Sequence, residues 1–190
     1  MNTPLPCLII IDMQKGMADP AAGSRNNPQA EDNIARLLGA WRAAKASVVH
    51  VRHISRSSTS LFAPGQSGAE FQEALTPLAH EHVVEKNVPD VFIHSALERW
   101  LRVRGLDELV LAGVSTNNSV EASARTAGNL GFDTVVVSDA TFAFAMRDYA
   151  GVERSPDEVH AMALANLMSD YATIRNTDSV LDELERELHH

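Results

Sequence analysis

Residues 108–131, ELVLAGVSTNNSVEASARTAGNLG, decide how the rest of the chain is read. Within them, 109–114 is an unbroken apolar run, the pattern of a strand covered on both faces, and it ends in the polar turn 115–118. Val120, Ala124, Ala127 and Leu130 then recur at helical spacing, so the stretch is the strand-to-helix half of a βαβ unit. Asn118 is predicted to cap that helix, with Glu121 three residues on reaching back to the cap, which makes Ser119 the first helical residue. Backbone N–H groups at that point lack helical partners and sit at the positive end of the dipole. They therefore suit an oxyanion formed beside the Ser119 side chain, although an ordinary capped helix with a solvated serine has the same pattern.

Working upstream, residues 7–12 (CLIIID) form a first buried strand that ends abruptly in Asp12, and 47–53 form a second. A third strand, centred on 82–85, delivers Lys86. Amphipathic helices are predicted over 31–45, with Ile34, Leu37, Leu38 and Trp41 inward, and over 95–104, with Leu97, Trp100 and Leu101 inward. A short helix is predicted over 69–75, and 13–29, 54–68 and 87–93 are loops. Downstream, 134–138 (TVVVS) is a fifth strand and 139–154 a third long loop. Pro156 then opens a helix with Val159, Met162, Ala163 and Leu167 on its buried side. A last strand over 171–175 and an acidic helix over 178–188 complete the chain. Strands alternating with helices imply a single doubly wound α/β domain over 1–190 with a parallel sheet of six strands.

Composition narrows the function. A chain of 190 residues, 45% apolar, buries a full core without staples, and a net charge of −9 with no basic run argues against nucleic acid or an anionic membrane as partner. The lone cysteine, Cys7, allows no intrachain disulfide and fits a reducing compartment. No apolar run reaches the ~18 residues of a membrane helix, and the N-terminus lacks a basic, cleavable leader, so a cytoplasmic location is expected. His189 and His190 at the terminus carry no argument.

Asp12, Lys86 and Ser119 each follow the carboxyl end of a predicted strand. In an open parallel sheet those ends share one edge, and ligands bind in the crevice there, so the three are expected to converge.

The pieces LIIIDMQKGM, FAPGQSGAEF, VVEKNVPDVF, LVLAGVSTNNSVEASARTAGNLGF and VVVSDATFAF, in that order, cover nearly the whole chain. They resemble the isochorismatase-like cysteine hydrolase superfamily, which includes nicotinamidases, N-carbamoylsarcosine amidases and ureidoacrylate hydrolases. The resemblance implies a six-stranded parallel sheet of order 3-2-1-4-5-6. It implies hydrolysis of a small amide or ureido C–N bond by an Asp, a Lys and a Cys, here at Asp12, Lys86 and position 119. It also implies a cis peptide at the turn of Val114 and Ser115, an oxyanion site made by backbone at Ser115 and Ser119, and a homo-oligomer, either a dimer or a tetramer.

At position 119 the sequence departs from the pattern, with serine where the family has cysteine. Cys7, on the first strand, is read as a small buried apolar residue and is no substitute. A thiol is half-ionised at pH 7 for about 2 kcal/mol, whereas an alkyl hydroxyl is far less acidic and an ordinary carboxylate is a poor base for it. Ser119 is thus either a replacement that cripples an amidase or a sign that the protein lacks the family nucleophile. The resemblance holds a precedent for the second case, since isochorismatases lack the cysteine and use the Asp as an acid on a vinyl ether; a noncatalytic binding protein is a further alternative.

Phe62, Phe92, Phe142 and Phe144 fall in loops expected around the crevice and are candidates for an apolar substrate wall, with Arg147 either facing an anionic group or solvated; equally, the aromatics could seal the loops onto the core. No cofactor and no metal are expected. The zinc-binding nicotinamidase branch uses an Asp and paired histidines in and after the second strand, and here no histidine follows His53 in its loop, while His50 lies upstream in the strand. His160, near a helix start, is read as structural.

Overall fold

The chain is described by a computed structural model over residues 4–189; residues 1–3 and His190 lie outside the described residues, and with them part of the reading of both termini. Its elements are β1 (Cys7–Ile11), α1 (Ala30–Ala43), β2 (Val48–His53), β3 (His82–Lys86), α2 (Leu97–Val103), β4 (Glu108–Val114), α3 (Glu121–Asn129), β5 (Asp133–Phe142), β6 (Met146–Arg147), β7 (Glu153–Arg154), α4 (Pro156–Met168), β8 (Thr173–Arg175) and α5 (Thr177–Leu188). Six strands form one parallel sheet in the order β3-β2-β1-β4-β5-β8, the expected order with β8 as the sixth strand of the sheet. Strand order reverses direction between β1 and β4, and the crevice at that switch point is where Asp12 and the turn after β4 emerge.

Both faces of the sheet are covered, which is why its central strands read as continuous apolar runs rather than alternating ones. Ile9, Ile11, Val49, Val51, Leu109 and Leu111 point to the side packed by Leu97, Leu101, Ala124, Ala127 and Leu167 of α2, α3 and α4. Leu8, Ile10, Val48, Val110 and Ala112 point to the other, against Ile34, Leu37, Leu38 and Trp41 of α1 and Val180 and Leu184 of α5. Trp41 is buried and spends its indole N–H on the Pro6 carbonyl at 2.7 Å, so its burial leaves no polar debt. Gly113 is where β4 comes closest to β1. Its φ is +122°, and a Cβ there would stand 2.1 Å from the Ile11 carbonyl oxygen, so any side chain would push the two strands apart just below the crevice.

Several local expectations need correction. The helix expected over 69–75 is instead two 3-10 turns, Ser67–Ala69 and Glu73–Leu75. Between them the backbone is extended, because it pairs with the segment after Asp12: Lys15 N–H donates to Glu70 O and Gln72 N–H to Met13 O. The fifth strand runs on to Phe142, and the loop beyond it holds the β6–β7 hairpin. On α4 the buried side is His160, Ala163, Leu164 and Leu167, while Met162 is exposed. Among the described residues no helix is long and apolar enough to cross a membrane.

Candidate active site

Asp12 is the first residue past β1. Its φ of 54° is uncommon for a residue with a Cβ, and its N–H still donates to Val51 O at 2.9 Å. Lys86 is the last residue of β3, and Ser119 lies in the turn after β4. The three side chains meet: Lys86 Nζ donates to Asp12 Oδ2 at 2.6 Å and to Ser119 Oγ at 3.1 Å. All are buried, with exposures of 1% for Asp12, 4% for Lys86 and 6% for Ser119. Burial pushes the Asp12 carboxyl above its ordinary range, against the opposing pull of the Lys86 cation and the Ser119 hydroxyl. Asp12 Oδ1 is buried and accepts no hydrogen bond from the protein. The carboxylate therefore has one oxygen fixed by a cation and one acceptor to spare.

The turn carrying Ser119 differs from the capped helix start expected of it. Residues Thr116–Val120 form one π-helical turn that leads into α3, no side chain caps it, and Asn118 is exposed. Glu121 is instead drawn away, pairing with Arg125 at 2.8 Å and accepting from Asn166. The Ser115 carbonyl accepts from the N–H groups of both Asn118 and Val120, and the peptide between Val114 and Ser115 is cis. The turn is held from outside by His160 on α4, whose Nδ1 lies 2.8 Å from the buried Thr116 hydroxyl. Burial lowers the His160 pKa, which keeps the ring neutral and able to accept.

The candidate aromatics pack against other side chains. Phe142 is fully buried, with the Arg25 guanidinium 3.8 Å from its ring centroid and the Phe144 ring edge-on at 5.7 Å. Phe92 stacks on Phe132 at 6.0 Å. Arg147 sits in the β6–β7 hairpin and pairs with Glu153 at 2.7 Å, so its charge is met by its own hairpin. Phe62 lies edge-on to His53 at 6.4 Å. His53, opposite Lys86 in the strand register, is a half-buried residue that feels both site charges; burial first and the Lys86 cation second lower its pKa.

Gln14 is another residue that sequence reasoning passed over. Nothing in its spacing separates it from a solvated glutamine, yet it is fully buried beside Asp12. Cys7 is also fully buried, and burial pushes its thiol up to about 12. Among the described residues no group of three His, Cys, Asp or Glu side chains could hold a metal ion. His50 is buried against Glu81 at 2.9 Å, and His82 lies flat on Trp100 at 4.4 Å.

Comparison with known proteins agrees with this geometry. The Isochorismatase domain family matches residues 6–179. The isochorismatase family protein YrdC of Bacillus subtilis is 38% identical over 93% of this chain and 94% of its own length. A maleamate amidohydrolase of Pseudomonas putida is 31% identical over 70% of each chain. The crystal structure of a hydrolase of the isochorismatase family from Chromobacterium violaceum superposes with a TM-score of 0.93 at 45% identity, over 98% of this chain and all of that one. Sheet order, switch-point crevice and sequence similarity over nearly the full length agree, and the chain belongs to the isochorismatase family of hydrolases.

Proposed function

We propose that the site hydrolyses a small-molecule amide or ureido C–N bond through residue 119, with Asp12 moving the proton and Lys86 holding the charge. The observation that carries this reading is the buried contact of Lys86 with both Asp12 and Ser119, which leaves Asp12 Oδ1 as the open acceptor. With a thiol at 119, the S–H proton passes to Oδ1 and the thiolate adds to the carbonyl carbon. Backbone N–H groups at Ser115 and Ser119 meet the resulting oxyanion. The C–N bond then breaks as Asp12 returns the proton to the leaving nitrogen, and water, deprotonated by Asp12, releases the acid. Burial raises the Asp12 pKa, which improves its match as a base near neutral pH. An alkyl hydroxyl remains too weak an acid for this step, so the serine form is a binding-competent, impaired enzyme.

Relatives with amide substrates support the bond type: maleamate amidohydrolase, and the ureidoacrylate amidohydrolase RutB of Acinetobacter baylyi, which is 27% identical over 66% of this chain. The proposed partner is a small molecule, and a homo-oligomer is proposed on family grounds. A second reading is favoured by the serine itself together with the raised Asp12 pKa: noncovalent hydrolysis of a vinyl ether with protonated Asp12 as acid.

Ser119→Cys and Ser119→Ala assayed side by side against ureido compounds, primary amides and isochorismate separate the two. The amidase reading expects Ser119→Cys to raise turnover by about a hundredfold or more, which needs ~3 kcal/mol off the barrier, with an acyl adduct on residue 119. The vinyl ether reading expects the serine protein to turn over already and Ser119→Ala to be tolerated. Equal activity in all three forms rejects the nucleophile position.

A further inference from the structure

We infer that Gln14 is a positioning residue for the Asp12 carboxylate, acting through the backbone that carries it. The inference rests on the proposed role of Asp12 and goes beyond it. One fully buried carboxamide makes three hydrogen bonds, all to backbone of other segments. Its Nε2 donates to His53 O at 2.9 Å and to Ala69 O at 3.0 Å, and its Oε1 accepts from His53 N–H at 2.8 Å. A glutamine amide has two donor hydrogens, and both are used here.

The clamp joins three chain segments at the sheet edge. His53 closes β2 beside Lys86, Ala69 ends the first 3-10 turn, and Gln14 itself stands two residues after Asp12. The Gln14 N–H reaches back to Asp12 O at 2.8 Å, so the amide holds down the far side of a tight turn whose near side is Asp12. That turn needs holding. A residue with a Cβ at φ 54° costs roughly 1–2 kcal/mol against ordinary conformations, and the Lys86 bond alone fixes only the carboxylate tip. Without the amide, two carbonyls and one N–H would lose a buried partner, and the backbone at Asp12 would be free to relax. The carboxylate would then turn away from Lys86 and residue 119. Gln14 touches none of these side chains in the described contacts, so its effect is on orientation.

The test uses the Ser119→Cys protein as parent and adds Gln14→Met, which matches the side chain in length but makes none of the three bonds. Gln14→Asn, which keeps the carboxamide on a stem one methylene shorter and so can re-form only part of the clamp, is the conservative companion. Glu70→Ala is the control, since it cuts the exposed Lys15–Glu70 pair on the same segment without touching the clamp. Two readouts are taken. In kinetics, kcat should fall about tenfold to a hundredfold in Gln14→Met while KM stays within about twofold, as expected for a misplaced reacting group. The acid limb of the pH profile should move up, because a carboxylate loosened from Lys86 keeps the burial penalty and loses the opposing cation. The second readout needs no substrate: the pH midpoint for alkylation of the new thiol should shift by about half a unit or more, with Cys7 silent in its buried site.

Gln14→Asn should lie between parent and Gln14→Met, and it carries the comparison where Gln14→Met does not fold. Unchanged kcat and an unchanged alkylation profile in folded variants would overturn the inference. So would a raised KM with kcat kept, since that marks the amide as a support for the 54–75 segment only. If the Ser119→Cys parent turns over nothing, the amidase reading fails on its own, and the alkylation profile still decides the role of Gln14.

Discussion

Two buried carboxylates in this molecule are built for opposite ends. The Glu81 side chain, 3% exposed, is saturated: Arg42 meets both its oxygens at 2.8 and 2.9 Å, the Leu78 N–H donates at 2.7 Å, and His50 Nε2 lies at 2.9 Å. Those partners outweigh burial and hold its pKa down at about 2. The Asp12 side chain, 2% exposed, has Lys86 on one oxygen and nothing on the other, and burial wins, lifting its pKa. An acid with both oxygens partnered, as Glu81 is, stabilises the fold and does no chemistry. An acid that is under-satisfied at the sheet's switch point costs stability, and that cost is repaid only by binding or moving a proton.

The widest split between the two is expected in turnover. In the Ser119→Cys background, Asp12→Asn should lower kcat/KM by about a thousandfold or more, some ~4 kcal/mol, because an amide cannot accept the proton. Lys86→Met should be similar, and the double variant little worse than either, since both serve one step. Glu81→Gln should leave kcat within about twofold. A folded Glu81 variant with turnover lowered as far as in Asp12→Asn would erase the distinction.

The next effect is on stability against acid. The folded pKa of Glu81 lies below its ordinary value of 4.5, so its contribution is fully present above pH 4.5 and is lost as pH falls towards about 2. After discounting for solvent screening, that contribution is about 1–2 kcal/mol. Buried His50 works in the same sense at higher pH: its lowered pKa means that acid below about 6.5 favours the unfolded chain, where the ring charges freely. Urea unfolding between pH 7 and 3 should show Glu81→Gln less stable than the parent at neutral pH and flatter between pH 4.5 and 3. Parallel curves would mean that the Glu81 cluster does not carry the acid dependence.

Much of this was legible in the sequence, for a physical reason. Strands covered on both faces must be continuously apolar, so 7–12, 109–114 and 134–138 announced themselves, and a polar residue just past such a run has to fall at the sheet edge. That logic brought Asp12, Lys86 and Ser119 to one crevice. It failed where a residue's role depends on what meets it from far along the chain. Phe142 reads as a loop residue, yet β5 runs on to include it and the core closes over it. Arg147 is a candidate for an anionic ligand, yet the strand opposite it in its own hairpin supplies Glu153. Gln14 and Glu81 give no local sign, because their partners lie 39 and 55, and 39 and 31, residues away.

The same contrast reappears, smaller, at two helix starts that read alike: Asn118 with Glu121, and Ser155 with Glu158, each a capping residue followed three later by a glutamate. Only the second makes the box. Ser155 Oγ accepts from Glu158 N–H at 3.2 Å and Glu158 Oε2 accepts from Ser155 N–H at 2.8 Å, with Pro156 setting the first turn. At the first, the chain opens into a π turn, Asn118 stays exposed and uncapping, and Glu121 pairs elsewhere. Ser155→Ala should therefore cost about 1 kcal/mol of unfolding free energy and leave activity alone, as loss of a working cap does. Asn118→Ala should change stability by less than about 0.5 kcal/mol, the size expected of a surface change that breaks no cap. Chemical denaturation of the two variants against the parent measures both. Equal losses would mean that Asn118 caps α3 after all, and that the donors at the turn carrying Ser119 are spent on the fold rather than held for a ligand.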